Sequence, residues 1–317
     1  MKKLVVILLS ATLTMSLVAC GSGSSTNDSS NVATTASVKA DTTSAEKESA
    51  TETEEEAEAN PTEEEIAFEP FTAIDNDECL VEIKGLDPKN MMGYTVKINM
   101  ENKSSDKTYM FSVISASVNG VDSDPLFATE IAPGKKANGD MSFSASSLKE
   151  NGITDFSDIE VVFKVYDTND WTADPVAEET FHIYPFGEDK ATKYVRESQE
   201  SDVVLAENDD IAVVLIGQED DSIWGYTLKL FIENKSDKAL MVSVDEASVN
   251  GYMADPFFAK SVNPGKCAFT SMSWSDSTLE ENDIKEIETI EFKLRVYDEN
   301  DWSATDIVND VITISPQ

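Results

Sequence analysis

One stretch of this chain occurs twice, and the repeat constrains the fold more than any other feature. Residues 93–120 read GYTVKINMENKSSDKTYMFSVISASVNG, and residues 225–251 read GYTLKLFIENKSDKALMVSVDEASVNG. The copies align at an offset of 132 residues (93 against 225) up to the Glu-Asn-Lys-Ser segment, and at 131 (120 against 251) after it. The extra serine of the first copy lies in a polar loop, where an insertion costs little. We therefore predict two copies of one fold.

Each copy has the two-residue periodicity of strands that are covered on one face. Apolar residues alternate with polar ones in two segments of the first copy: Tyr94, Val96, Ile98 and Met100, then Ile159, Val161, Phe163 and Val165. The Asn-Gly pairs at 119–120 and 250–251 predict tight two-residue hairpins, because both residue types tolerate positive φ. A slip in the apolar phase between Val113 and Ala116 predicts a β-bulge.

One stretch in each copy departs from this alternation. It reads Ser-Leu-Lys-Glu at 147–150 and Thr-Leu-Glu-Glu at 278–281. A hydroxyl residue that can cap, with Glu three places later, predicts a short helical turn that begins at Ser147 or Thr278.

Turn signals at regular spacing separate about seven strands per copy, which favours an antiparallel sandwich of the immunoglobulin type. Neither copy has the paired cysteines of antibody domains. The predicted fold class is all-β: two tandem immunoglobulin-like antiparallel β-sandwich domains after a disordered tether. We expect domain 1 at 66–185, a linker at 186–204, and domain 2 at 205–317, which should fold alone.

The start of the chain carries a different signal. Lys2 and Lys3 precede an apolar run of about 15 residues, which is shorter than the ~20 needed to span a bilayer. The run ends Leu-Val-Ala-Cys at 17–20, which resembles the lipobox of bacterial lipoproteins. This resemblance implies that residues 1–19 are a signal peptide and that Cys20 is lipidated. An uncleaved anchor or an ordinary secretory signal is the alternative.

Residues 20–65 are rich in Ser, Thr and Glu and offer almost nothing to bury, which predicts a disordered tether. A flexible chain of that length reaches roughly 35–40 Å. The expected location is therefore the outer face of the cytoplasmic membrane, with the domains lipid-anchored and extending into the cell wall.

The strand–Glu-Asn-Lys-Ser–strand pattern resembles the immunoglobulin-like (telokin-like) extracellular domains of Gram-positive surface lipoproteins. The resemblance covers residues 73–185 and 205–317, together with the lipobox. It implies location and architecture, and it carries no catalytic residues to transfer.

The charge of the chain limits its partners. With 61 Asp and Glu against 24 Lys and Arg, the formal net charge is −37, which repels nucleic acid. We expect the membrane, through the lipid anchor, and a cell-envelope protein or glycan as partners. The single histidine, His182, is expected to be a surface strand residue. We further expect no cofactor, no metal site and no enzymatic activity.

A calcium site is the alternative for two similar loops, which read Tyr-Asp-Thr-Asn-Asp-Trp at 166–171 and Tyr-Asp-Glu-Asn-Asp-Trp at 297–302. Asp167 with Asp170, and Asp298 with Asp301, could offer oxygen ligands. The loops lack the glycine and the distal glutamate of an EF-hand, which favours a polar turn instead.

Four tryptophans could instead stack on sugar rings: Trp171, Trp224, Trp274 and Trp302. Trp224 stands where the first copy has Met92, and Trp274 stands where it has Phe143. This interchange of large apolar residues favours packing over glycan binding. Among the cysteines, Cys79 is expected to be buried and Cys267 exposed, because Lys136 occupies the equivalent position in the first copy.

Overall fold

The computed structural model describes residues 66–170, 172–301 and 303–316. The signal peptide, Cys20 and the tether lie outside the described residues, as do Trp171 and Trp302. We refer to residues 66–185 as copy 1 and to residues 203–317, which begin with the first strand of the second sandwich, as copy 2.

The described residues of copy 1 form nine strands and one short helix. They are β1 (Phe71–Asp75), β2 (Cys79–Asn90), β3 (Gly93–Asn102), β4 (Tyr109–Val118), β5 (Val121–Asp122), β6 (Ala128–Ile131), β7 (Lys136–Phe143), α1 (Ala145–Glu150), β8 (Ile159–Asp167) and β9 (Ala177–Ile183). Seven of the strands have five residues or more, which is the number that the sequence predicts.

Copy 2 repeats this order at the same offsets. Its elements are β10 (Val203–Glu207), β11 (Ile211–Ser222), β12 (Gly225–Asn234), β13 (Leu240–Val249), β14 (Tyr252–Met253), β15 (Ala259–Val262), β16 (Cys267–Trp274), α2 (Asp276–Glu281), β17 (Ile290–Asp298) and β18 (Val308–Ile314). A 3-10 turn at Glu188–Lys190 lies between the copies.

The strands of each copy form two antiparallel layers. In copy 1 one layer has the order β1-β2-β3-β7, and the other has β5-β4-β8-β9 with β6 beside β4. The pairings β2-β3-β7 and β4-β8-β9 correspond to strands A-B-E and C-F-G of immunoglobulin sheets. Copy 2 has the same pairings. The all-β sandwich prediction is confirmed.

Each copy has its own buried core, made by the alternating apolar residues. Val96, Ile98 and Met100 of β3 are buried in copy 1, as are Leu228, Leu230 and Ile232 of β12 in copy 2. Strand β16 of copy 2 pairs with β5 of copy 1. Through this pairing the layer β10-β11-β12-β16 of copy 2 and the layer β5-β4-β8-β9 of copy 1, with β6, form one nine-stranded sheet. The division into two independent domains stays a prediction.

The local predictions are confirmed with one correction. Asn119 and Gly120 have φ values of 52° and 82°, and the β4–β8 register shifts between Val113 and Ser115, as a bulge requires. The helical turn begins earlier than predicted. Its N-cap is Ser144, whose extended backbone lets Oγ accept from the Ser147 amide, and Ser275 has the same role in copy 2.

The Glu-Asn-Lys-Ser segment contains an asparagine whose side-chain amide is buried in both copies. The Asn102 side chain is fully buried, and its Nδ2 donates to the carbonyls of Lys107 and Ile131, each at 2.8 Å. Its Oδ1 accepts from the Ser104 amide at 2.9 Å. Asn234 makes the equivalent contacts in copy 2. Because the buried amide is satisfied by hydrogen bonds to the surrounding backbone, it fixes the loop in one conformation. The motif is therefore structural.

Candidate functional site

The structure joins the copies through strands β5 and β16. Val121 pairs with Cys267 in parallel, and the Cys267 amide donates to the Gly120 carbonyl at 3.0 Å. Val121 and Cys267 are only 1% and 4% exposed. The prediction that Cys267 is exposed is therefore wrong, because its position in copy 2 contacts copy 1. Burial raises the pKa of its thiol to about 12.

Cys79 behaves as predicted. It belongs to the core of copy 1 and is fully buried, which raises the pKa of its thiol to about 11. Both thiols are therefore protonated and poorly reactive at neutral pH.

An apolar patch on the outward face of copy 2 extends this junction. Phe231 of β12 and Phe269 of β16 are cross-strand partners whose ring centroids lie 5.1 Å apart. Tyr194 contacts Phe269 edge-on at 5.9 Å, and the Arg196 guanidinium lies 5.6 Å from the Phe231 ring. The segment between the copies thus packs on copy 2 through aromatic and cation–π contacts.

The same cross-strand position is polar in copy 1. Asn99 pairs with Asn138, and the Asn99 Nδ2 donates to the Asn138 Oδ1 at 2.8 Å. Two outward-facing asparagines of copy 1 are therefore phenylalanines in copy 2. On the strand of Asn138, Lys136 of copy 1 is replaced by Cys267 in copy 2. This change is the sequence signal that would have located the junction.

The predicted linker at 186–204 is held by specific bonds. The Tyr194 amide donates to the Asn119 carbonyl at 2.8 Å, and its hydroxyl donates to the Asn151 carbonyl at 3.0 Å. Arg196 donates to both carboxylate oxygens of Asp202, at 2.6 and 2.8 Å. The segment is thus attached to copy 1 at Tyr194 and folded back on itself before β10.

Charged groups surround a cavity of about 280 Å³ at the edge of the junction. Lys266 of copy 2 donates to Glu160 of copy 1 at 2.7 Å. His182 lies on β9, with Nδ1 2.7 Å from Asp158 and Nε2 3.3 Å from Glu160. Its place on a strand is as predicted, and its neighbours make it part of the charged rim of the junction. Lys260 and Asp122 form a second ion pair across the copies at 3.1 Å.

The surface with the strongest features of a binding site is what we call the head of copy 2. It consists of five large apolar residues that are 56–93% exposed: Ile223, Trp224, Tyr252, Met253 and Phe257. Ile223 and Trp224 form the tip of the β11–β12 hairpin, and Phe257 pairs with Ser273 beside the end of β16. All of them lie at the Trp274 end of the sandwich, since Tyr226 is directly opposite Trp274 and Ala254, next to Met253, accepts a hydrogen bond from the Trp274 side chain.

The tryptophan predictions have different outcomes. Trp274 is fully buried, as predicted, and its Nε1 donates to the Ala254 carbonyl at 2.8 Å. The prediction that Trp224 packs is wrong. It lies at a hairpin tip, and Met92 is equally exposed at the same tip in copy 1. At a hairpin tip, where the side chains do not pack against the sandwich core, apolar residues in both copies therefore do not imply burial.

The aspartates of the two repeated loops already have protein partners. Asp167 and Asp298 each accept from the amide two residues later, and Lys238 lies 2.9 Å from Asp298. Asp301 accepts from the Ser303 amide and hydroxyl. These donors lower the pKa of both Asp298 and Asp301. Within the described ranges, no group of three or more His, Cys, Asp or Glu residues is placed to hold a metal ion.

Comparisons with known proteins do not assign the chain to a family. No family model matches it, and no curated protein matches it. One similar solved structure is a transglutaminase of red sea bream, at 9% sequence identity and a TM-score of 0.20. The match covers 70% of this chain and 28% of the transglutaminase, so the chain spans about a quarter of that protein's length. In the described part of the chain, no helix is long and apolar enough to cross a membrane.

The expectation that the chain is not an enzyme is corrected by this comparison, because the similar structure is that of an enzyme. We do not carry the expectation forward. A likeness at a TM-score of 0.20 assigns no activity to the chain.

Proposed function

We propose that the chain is a lipid-anchored surface protein that binds a partner in the cell envelope through the head of copy 2. The lipobox at 17–20 supports the anchor, and the Ser/Thr/Glu-rich segment at 20–65 supports a spacer between membrane and sandwiches. The head supplies the binding surface.

One observation carries the binding proposal: the same end of the fold already acts as a protein interface in copy 1. There, β5 is buried against copy 2, and Val121 is 1% exposed. In copy 2 the equivalent strand is β14, where Tyr252 is 56% and Met253 is 66% exposed. Strand β14 is thus the free counterpart of a strand that pairs with the other copy in the same molecule, while Ile223, Trp224 and Phe257 correspond to exposed apolar residues of copy 1.

The residues at the head suit this role. Interfaces are enriched in Trp, Tyr, Phe and Met at their centres, and a few such residues contribute most of the binding energy. Exposed apolar residues that are scattered singly need no explanation, but grouped ones mark interaction sites. The chain as a whole carries a net charge of −37, which favours a partner with an apolar centre and a basic rim.

The test is crosslinking and affinity capture of the tagged full chain from its own cells. Replacing Trp224 and Phe257 by serine should abolish a crosslinked product that the parent protein forms. The control replaces Met91 and Met92, which are equally exposed at the copy 1 hairpin tip, and should leave the product unchanged. A product that survives the head substitutions would exclude the head as the binding surface.

Glycan binding is a second candidate, because the structure exposes three aromatic rings at the head: Trp224, Tyr252 and Phe257. Exposed rings can stack on the apolar faces of sugars. Titration of the full chain with soluble wall glycan should then quench or shift Trp224 fluorescence, and Trp224→Phe should remove that response. A response that persists in the variant would come from another tryptophan.

The anchor is tested separately. Replacing Cys20 by Ala should release the protein from the membrane fraction, since stable anchoring of a soluble body needs the acyl chains. Equal membrane retention of the variant and the parent protein would contradict lipidation at this residue.

A further inference from the structure

A second surface differs between the copies, on the side of the sandwich rather than at its end. In copy 1, edge strands β1 and β9 belong to opposite layers, and residues 66–70 cover the seam between them. The Ala67 amide donates to the Pro185 carbonyl at 2.9 Å. Phe68 contacts Phe71 edge-on at 6.2 Å, and Phe71 contacts Phe181 at the same distance.

In copy 2 the corresponding seam, between β10 and β18, lacks this cover. The residue at the position of Phe68 is Glu200, which is exposed. The preceding chain turns away, because the Asp202 amide donates to the Gln199 carbonyl and the Gln199 amide donates to the Asp202 carboxylate. Three valines are 50–66% exposed along the seam: Val203, Val204 and Val311. Val203 stands where copy 1 has the half-buried Phe71, whereas Val204 and Val311 stand where copy 1 has exposed threonines.

The uncovered seam forms two adjoining grooves. One has a volume of about 350 Å³ and is lined by the three valines with Leu205, Ile312 and Ile314. The other has a volume of about 450 Å³ and shares Val203 and Ile314 with the first, while Glu200 lines its rim. An apolar floor beside an acidic rim is complementary to an apolar segment that carries positive charge.

We propose that the copy 2 seam binds a peptide segment of another protein that carries an aromatic residue with lysine or arginine beside it. Copy 1 shows the occupant that this seam accepts, namely a segment whose amide bonds to the closing Pro carbonyl and whose aromatic ring lies on the edge strands. Pro316 aligns with Pro185 in the sequence. Exposed edge strands with apolar pockets are a recurrent mode of peptide recognition.

The charge of the partner follows from the rim. Glu200 replaces the aromatic residue of copy 1, and the whole chain carries a net charge of −37, so a basic segment is favoured over a neutral or acidic one. The chain's own covering segment, residues 66–70, is already bound in copy 1. This site is independent of the head, so either can fail without the other.

The probe is a fluorescein-labelled peptide with the sequence of residues 66–71 and two added N-terminal lysines. Its anisotropy is titrated with the full chain in detergent. We expect saturable binding that weakens by about 10-fold or more in the Val204→Asp, Val311→Asp variant, since a charge removes apolar contact from the floor. Both valines are exposed, so this variant should keep the parent melting temperature.

Two controls make the result specific. The Met91→Asp, Met92→Asp variant carries the same change in charge at an exposed site of copy 1 and should bind like the parent protein. A peptide with alanine at the position of Phe68 should bind more weakly. Binding that is absent, or that the seam substitutions leave unchanged, would overturn the proposal. A concentration-dependent dimer that the seam substitutions abolish would also overturn it, because the occupant would then be a second copy of this chain.

Discussion

Replacing Phe231 and Phe269 together by asparagine should uncouple the two copies without damaging the core of copy 2. Both phenylalanines lie on the outward face of the β12–β16 pair, and copy 1 has an Asn–Asn pair at the same cross-strand position. The asparagines can bond to each other as Asn99 and Asn138 do, at 2.8 Å. The substitution therefore removes the aromatic and cation–π contacts of the junction and retains a cross-strand pairing that this fold accepts.

The size of the effect follows from what the two rings contact. Full burial of a Phe side chain contributes about 1.5–3 kcal/mol, and Phe269 is only partly buried. The edge-on contact with Tyr194 adds about 0.5–1.5 kcal/mol, and the Arg196 cation–π contact adds about 0.5–1 kcal/mol. We expect the double variant to lose about 3–6 kcal/mol of the free energy that couples the copies.

Differential scanning calorimetry of the full chain measures this coupling. The parent protein should unfold in one transition, because a sheet and an apolar patch cross the junction. The double variant should show two transitions, with copy 2 melting at the lower temperature. The control variant, Asn99→Ala with Asn138→Ala, changes the same position in copy 1 and should keep a single transition. A single transition at an unchanged midpoint in the Phe double variant would refute the coupling.

Four other outcomes are expected. The fragment 205–317 should show a cooperative melt by circular dichroism, at a lower temperature than the full chain, because its junction patch is exposed; a non-cooperative melt would mean that the copies need each other to fold. Asn234→Ala should lower the free energy of unfolding by about 2–4 kcal/mol in urea titrations, since buried carbonyls lose their donor. Hydrogen bonds from Arg295 lower the pKa of Asp306, so Asp306→Asn should lower the melting temperature at pH 6, and the difference from the parent should shrink as the pH falls below about 4. Ca²⁺ at about 1 mM should not raise the melting temperature beyond an equal ionic strength of Mg²⁺, because Asp298 and Asp301 already have donors.

Much of the fold could be predicted because its signals are local. Alternation of apolar residues along β3 and β12 specifies which face is buried, and Asn-Gly specifies the β4–β5 turn. Even the bulge near Val113 appears as a change of apolar phase within one strand. The helix N-cap lies three residues before the predicted one, because several hydroxyl residues lie together there and the residue with the capping conformation is Ser144.

The junction could not be found by periodicity because it depends on residues that are distant in the sequence. Periodicity within a strand separates inner from outer positions, but it does not show which outer position contacts another sandwich. Phe231 and Phe269 occupy outer positions, as Asn99 and Asn138 do. Only the comparison of one copy with the other shows that the outer face of copy 2 has become apolar. The same comparison is misleading at Trp224, because both copies are apolar and exposed at that hairpin tip.

A duplicated fold provides each surface twice, and this chain shows what happens to a surface that has no partner. The outer face that makes the junction in copy 2 is free in copy 1, and there it is polar, with Asn99, Asn138 and Lys136. Strand β5 and the seam position of Phe71 are covered in copy 1, and their counterparts in copy 2, β14 and Val203, are exposed. At these places copy 2 keeps or gains apolar residues, as Val203 and Met253 show. If β14 and the seam were without partners, polar residues such as Asn99 and Asn138 on the outer face of copy 1 would be available to them at no cost to the core. Their apolar character is therefore the reason to look for partners at both sites.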